Sequence, residues 1–90
     1  MQQGPVLARV QSIVRDVLDD DDVELSLRTE ARDIPHWDSL AHMRILIAVE
    51  ENFEINFTVE ELNSFDDVGC LVDGIVRNLD KLKTFHGDGR

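Results

Sequence analysis

The sequence predicts an all-α fold: a small four-helix bundle of three longer helices and one short one, with a long loop between helices 1 and 2. Apolar residues recur at three- and four-residue intervals in three stretches of the 90-residue chain, the spacing of a helix with one buried face. Residues suited to helix N-caps stand just before the second, third and fourth segments. No stretch alternates apolar and polar residues for long enough to propose a sheet.

The first helix is expected over roughly residues 5–18. Pro5 suits its first turn, where a missing N–H costs nothing. Val6, Val10, Ile13, Val14 and Val17 form its stripe, flanked by Leu7 and Leu18, with Gln11, Arg15 and Asp16 between. Asp19, Asp20, Asp21 and Asp22 follow. Like charges in a block resist helix and strand, so a solvated loop is expected. The run lacks the alternating ligand spacing and turn glycine of a calcium-binding loop. Residues 23–37 show no sustained period. They read as a long loop pinned to the core by Val23, Leu25, Leu27, Ile34 and Trp37, with Pro35 disfavouring helix at Ile34. Loops of this length in small domains are often functional.

The period returns at Ser39 and runs to about Asn52, with Asp38 as N-cap. Leu40, Met43, Leu46, Ile47 and Phe53 make the main stripe, and Ile45 and Val49 widen it. One helix cannot bury all of these, so some must face outward. Thr58-Val59-Glu60-Glu61 matches a capping box, opening a helix that Asn63-Ser64 soon interrupts. Asp66 or Asp67 caps the last helix. There Val68, Leu71, Val72, Ile75, Val76 and Leu79 share a face, and Lys81 and Lys83 suit its C-terminal end. The expected organisation is a flexible segment over 1–4, one domain over 5–83 and a flexible tail over 84–90.

Composition narrows the function. The net charge is −10, with 19 acidic residues against 9 Lys plus Arg. Such a surface repels nucleic acid and anionic membranes and suits partners with basic patches, drawn in by a salt-sensitive attraction. A single cysteine, Cys70, rules out an intramolecular disulfide and reads as buried apolar filler. No apolar run is long enough to span a bilayer, and the start of the chain has no basic leader before an apolar stretch. The cytoplasm and a monomer are expected.

Ser39 is the residue around which chemistry gathers. A hydrolase built from Ser39 with His36 or His42 would need an oxyanion hole, a cleft and an orienting acid. A bundle of this size has little room for them, and the G-x-S-x-G elbow is absent. The two histidines read as surface polarity. No His or Cys pair has zinc-finger spacing, so no metal site is expected, and no residue is expected to be catalytic. The polar faces of the helices are acidic, unlike those of membrane-seeking helices. A serine at the first turn of an exposed helix is open to modification instead. Helix N-termini stabilise an attached phosphate through free N–H groups and the dipole.

Asp38-Ser39-Leu40, taken with its surroundings, resembles the acyl carrier protein family. The segment from Leu40 to Phe53, with its acidic pair Glu50-Glu51 before the phenylalanine, is similar to that family's second helix. Phe57-Thr58-Val59-Glu60-Glu61 is similar to its short third helix, and Phe65-Asp66-Asp67-Val68 to the opening of its fourth. Trp37 before Asp-Ser-Leu is similar to stand-alone carriers of polyketide and related pathways. The resemblance spans approximately residues 5–83. It implies that Ser39 receives 4′-phosphopantetheine from coenzyme A through a phosphopantetheinyl transferase that uses magnesium. Acyl groups would then ride on the arm's thiol as thioesters. It implies that Asp38 helps the transferase as well as capping the helix. The second helix becomes the surface for acyl-loading and acyl-processing enzymes, with Leu40, Met43, Arg44, Ile47, Glu50 and Glu51 as contacts. Arg44 stands where many family members carry an acid, which points to partners other than ordinary fatty-acid synthesis enzymes. The Gly-Gly pair common before the serine of peptidyl carriers is absent. Two alternatives stay open: an aminoacyl or peptidyl carrier, and an unmodified acidic helical adaptor.

Overall fold

Val6, Val10, Ile13 and Val14 fall on one side of a helix and are buried, and they set the frame on which the rest packs. The computed structural model describes residues 3–87, with side chains through residue 81. In chain order it contains α1 (Gln3–Leu18), a 3-10 turn (Ala31–Asp33), α2 (Ser39–Phe53), α3 (Val59–Leu62) and α4 (Val68–Gly87), with no strand among the described residues. This is the all-α arrangement of three longer helices and one short one. α1 begins at Gln3, two residues before the expected start, which leaves Pro5 still within the first turn. α4 continues through His86 and Gly87, where a frayed tail was expected. Residues 1, 2 and 88–90 of the expected flexible ends lie outside the described residues.

α1 packs against both α2 and α4. α2 contributes Ala41, Ile45, Leu46 and Val49 to the core, and α4 contributes Val68, Leu71, Val72 and Ile75. The connecting segments add Val23, Leu25, Trp37, Ile55 and Phe57. Fully burying one such side chain stabilises the fold by about 1.5–3 kcal/mol. The buried face of α2 departs from the expected main stripe: Leu40, Met43 and Ile47 point outward. The helix carries apolar residues on two faces, and only the face of Ala41, Ile45 and Val49 is buried.

The aspartate run does more than stay solvated. Asp19 adopts φ 53°, the left-handed position that glycine usually takes at a helix end. Its N–H donates to the Asp16 carbonyl at 3.3 Å, and the Asp20 N–H donates to the Arg15 carbonyl at 3.0 Å. This Schellman closure stops α1, and an aspartate tolerates it because its short polar side chain permits left-handed backbone. Asp20 Oδ1 then accepts the Asp22 N–H at 3.0 Å.

The long loop is laced to both helices beside it. Gln11 Oε1 accepts the Leu25 N–H at 2.8 Å, and Arg15 Nε donates to the Val23 carbonyl at 2.7 Å. Further on, the Thr29 and Leu27 carbonyls accept the N–H groups of Val68 and Gly69, both at 2.8 Å. Leu27 therefore anchors the loop through its backbone, while its side chain is exposed and does not enter the core as expected. The 3-10 turn is closed by reciprocal bonds between Glu30 and Asp33. Three residues are too few for a periodic pattern to reveal it. Cys70 is half-buried and not the buried filler expected, because the inward phase of α4 falls on Val68, Leu71 and Val72.

A Cβ on Gly69 would lie 2.7 Å from the Leu27 carbonyl oxygen, so only glycine lets this loop meet α4. Gly69→Ala gains about 1 kcal/mol of helix propensity but forces the strap apart, at a cost of about 1–3 kcal/mol. The expected outcome is a lower thermal midpoint by several degrees, measured by circular dichroism. A raised midpoint would show that the loop does not hold this contact.

Candidate functional site

The segment Ile34-Pro35-His36-Trp37 turns the chain into α2. The Trp37 N–H donates to the Ile34 carbonyl at 3.3 Å, and His36 has φ 70°. Proline second and positive φ third is the pattern of a type II turn, with histidine where glycine is usual. Trp37 is buried, and its indole Nε1–H donates to His42 Nδ1 at 3.1 Å. Asp38 follows in extended conformation as the N-cap. Its Oδ1 accepts the Ala41 N–H at 2.9 Å, and its carbonyl accepts the His42 N–H at 2.8 Å. These bonds place Ser39 at the first helical position with its side chain exposed. The sequence-derived cap is therefore the observed one.

Leu40, Met43 and Ile47 are 63%, 52% and 51% exposed, too much for packing within the chain to explain. With Arg44 and Glu51, also exposed, they line one side of α2 below Ser39. Arg44 has no ion-pair partner among the described residues. Glu50 is drawn partly into the fold: its Oε2 accepts the Phe57 N–H at 2.8 Å and its carbonyl accepts the Ile55 N–H at 3.1 Å. It braces the α2–α3 connection as well as standing beside Glu51. A shallow open groove flanks the serine, lined by Val17, Leu18, His36, Asp38, Leu40, Ala41 and Arg44. A second depression lies at the other end of α2, between Ile47, Glu51, Glu54 and Asn56.

His42 is the residue that sequence reasoning placed wrongly. It is half-buried against Trp37, with ring centroids 6.1 Å apart, and is not surface polarity. No periodic signal links a loop residue to a helix residue five positions on, so the contact was invisible in the sequence. An indole N–H only donates, so Nδ1 of His42 is unprotonated and occupied, and that nitrogen is not free to serve as a base for Ser39. Among the described residues, no three His, Cys, Asp or Glu side chains come together to hold a metal ion, and no helix is long and apolar enough to cross a membrane.

Burial holds the His42 pKa below its usual 6.5. The Thr58 N–H, followed by Asn78 and nearby cations, lowers that of Glu61, and the Cys70 N–H lowers that of Asp67. All three folded-state values lie below the unfolded ones, so all three contributions are lost as pH falls. The His42 part is complete above pH 6.5 and declines as pH drops through its lowered value. Acidification also relieves self-repulsion of the −10 chain, so the wild type is best compared with His42→Asn, which does not titrate. The stability advantage of wild type over that variant, from urea unfolding, should shrink between pH 7.5 and 5. A constant advantage would exclude His42 as the titrating group.

Comparison with protein-family models and with characterised proteins gives no match. Among solved structures, the chain is similar to the holo acyl carrier protein of Geobacter metallireducens, determined by solution NMR. The TM-score is 0.83 and the identity 36%, over 89% of this chain and 92% of that one. Likeness at this identity, across nearly the full length of both chains, makes this chain a member of the acyl carrier protein family.

Proposed function

We propose that Ser39 carries 4′-phosphopantetheine and that the chain presents acyl thioesters on this arm to partner enzymes of a fatty-acid, polyketide or related pathway. The carrying observation is the exposed hydroxyl of Ser39 at the first position of α2, directly after the Asp38 cap. The residues fit the group. A phosphodiester on Ser39 would sit at the positive end of a 15-residue helix. Asp38 commits one carboxylate oxygen to Ala41 and leaves the other for the metal of a phosphopantetheinyl transferase. In the modification, the Ser39 hydroxyl would give up its proton to a base of the transferase or to water and form the new P–O bond as the pyrophosphate linkage of coenzyme A breaks, with adenosine 3′,5′-bisphosphate as the leaving group. The arm ends in a thiol, which supplies the thioester chemistry.

Family membership supports a non-catalytic role. Intermediates held on an arm meet each enzyme at high effective concentration. Leu40, Met43 and Ile47 supply the apolar contact for docking, and the acidic surface steers basic partners without binding them so tightly that they stay. Incubation with coenzyme A and a broad-specificity transferase should add the mass of one phosphopantetheine to the wild type and none to Ser39→Ala. An unmodified wild type would sink the reading and favour an acidic adaptor. Assay of the holo chain with acyl-loading and with adenylating enzymes then separates acyl from aminoacyl cargo.

Arg44 is the exposed cation on a stripe that otherwise ends in acids, one turn below Leu40. It favours a partner with a carboxylate close to where the arm enters. Arg44→Glu should change the rate of loading by the native loading enzyme severalfold while helicity stays constant, with the change shrinking as salt rises. Equal loading rates at every ionic strength would remove Arg44 from the recognition surface.

A further inference from the structure

From the contact between Trp37 and His42 we infer that His42 is a positioning residue for Ser39: its imidazole pins the indole that fixes the turn into Asp38-Ser39. This role rests on the reading of Ser39 as the modified residue. Two independent bonds tie His42 to the site. Nδ1 accepts the Trp37 indole N–H at 3.1 Å, and its backbone N–H donates to the Asp38 carbonyl at 2.8 Å. The first reaches back across the cap to the residue before Asp38, and the second closes the first turn of α2 on Asp38 itself. Ser39 lies inside the loop they make. The indole that His42 holds is nine-tenths buried, so Trp37 cannot shift without disturbing Ile34 on one side and Asp38 on the other.

The two rings face a cavity of about 20 Å³ walled by Ala31 of the 3-10 turn, Phe65, Asp66 and Asp67 ahead of α4, and Val68 and Leu71 of α4. That volume admits one water at most. The charged groups on this wall are Asp66 and Asp67; Asp38, on the near side, caps the helix that carries His42. Asp67 Oδ1 is committed to the Cys70 N–H at 2.8 Å. Nδ1 of His42 is the acceptor that the Trp37 indole N–H has in this setting. Without it the indole keeps a buried unpaired N–H, which is costly. The turn that presents Ser39 loosens as a result, and the chain accepts its arm more slowly.

The chain has a single tryptophan, so fluorescence reports Trp37 alone. Emission should shift in His42→Leu, where the indole N–H loses its partner, and stay close to wild type in His42→Asn, whose Oδ1 replaces Nδ1 as an acceptor. At pH 7.5, a broad-specificity phosphopantetheinyl transferase with coenzyme A should modify wild type and His42→Asn at similar rates, and His42→Leu about fivefold more slowly. Trp37→Phe serves should His42→Leu lose helicity, and it should slow modification equally. Equal rates for His42→Leu or Trp37→Phe and wild type, or a His42→Asn variant as slow as His42→Leu, would overturn the positioning role while leaving the carrier reading intact. No modification of the wild type would overturn the carrier reading and this role with it.

Discussion

The first amides of α4 have no acceptor within their own helix, and the loop between α1 and α2 supplies what they lack. Val68 and Gly69 donate to the carbonyls of Thr29 and Leu27, and Cys70 donates to the Asp67 carboxylate. These bonds satisfy a helix terminus and fix the middle of an otherwise irregular segment in the same stroke. Gln11 and Arg15 hold the loop's beginning, and the burial of Trp37 holds its end. Without that strap the turn at Pro35–Trp37 would have no fixed base, and Ser39 would sit at the end of a loose tether. The position of one exposed hydroxyl thus depends on backbone groups far from it in the chain, at the start of α4.

α2 shows what the bundle withholds from its core. Ala41, Ile45, Leu46 and Val49 are buried, while Leu40, Met43 and Ile47 lie half or more exposed on the other side. Exposed apolar residues scattered singly need no explanation, but three at helical spacing beside a reactive position do. The net charge of −10 offsets the hazard, because like-charged chains repel before their apolar stripes can meet. The same charge lets a basic partner approach. Glu50 shows how tightly the two demands are interleaved: it belongs to the acidic pair, yet one of its oxygens closes the turn at Phe57.

The helices were legible in the sequence because their signals are local. Val6, Val10, Ile13 and Val14 repeat at helical spacing, Thr58 and Glu61 form the capping box that the residues spell, and Asp38 caps as its position before Ser39 implies. What stayed hidden depends on residues far apart or on backbone alone. Leu27 looked like an anchor because it is apolar, and it is one, but through its carbonyl. Asp19 sits where glycine is usual, so the stop signal of α1 carried no glycine to reveal it. The division of α2 into a buried and an exposed face could not be settled from a pattern in which both faces are apolar.

A carrier and a hydrolase ask opposite things of a serine beside a histidine. The hydrolase needs the imidazole free to take the hydroxyl proton, whereas a carrier is safer with no base near an ester and thioester that must survive transit. Ser39 and His42 are three residues apart, close enough on a helix for either outcome. Here a third side chain bears on the histidine. Trp37 is donor-only at nitrogen, so its bond to Nδ1 both fixes the tautomer of His42 and removes that nitrogen from use. The remaining nitrogen carries the proton in the neutral ring and has nothing to accept with. One indole, buried for its apolar surface, thus takes Nδ1 of His42 out of reach of the exposed serine three residues before it.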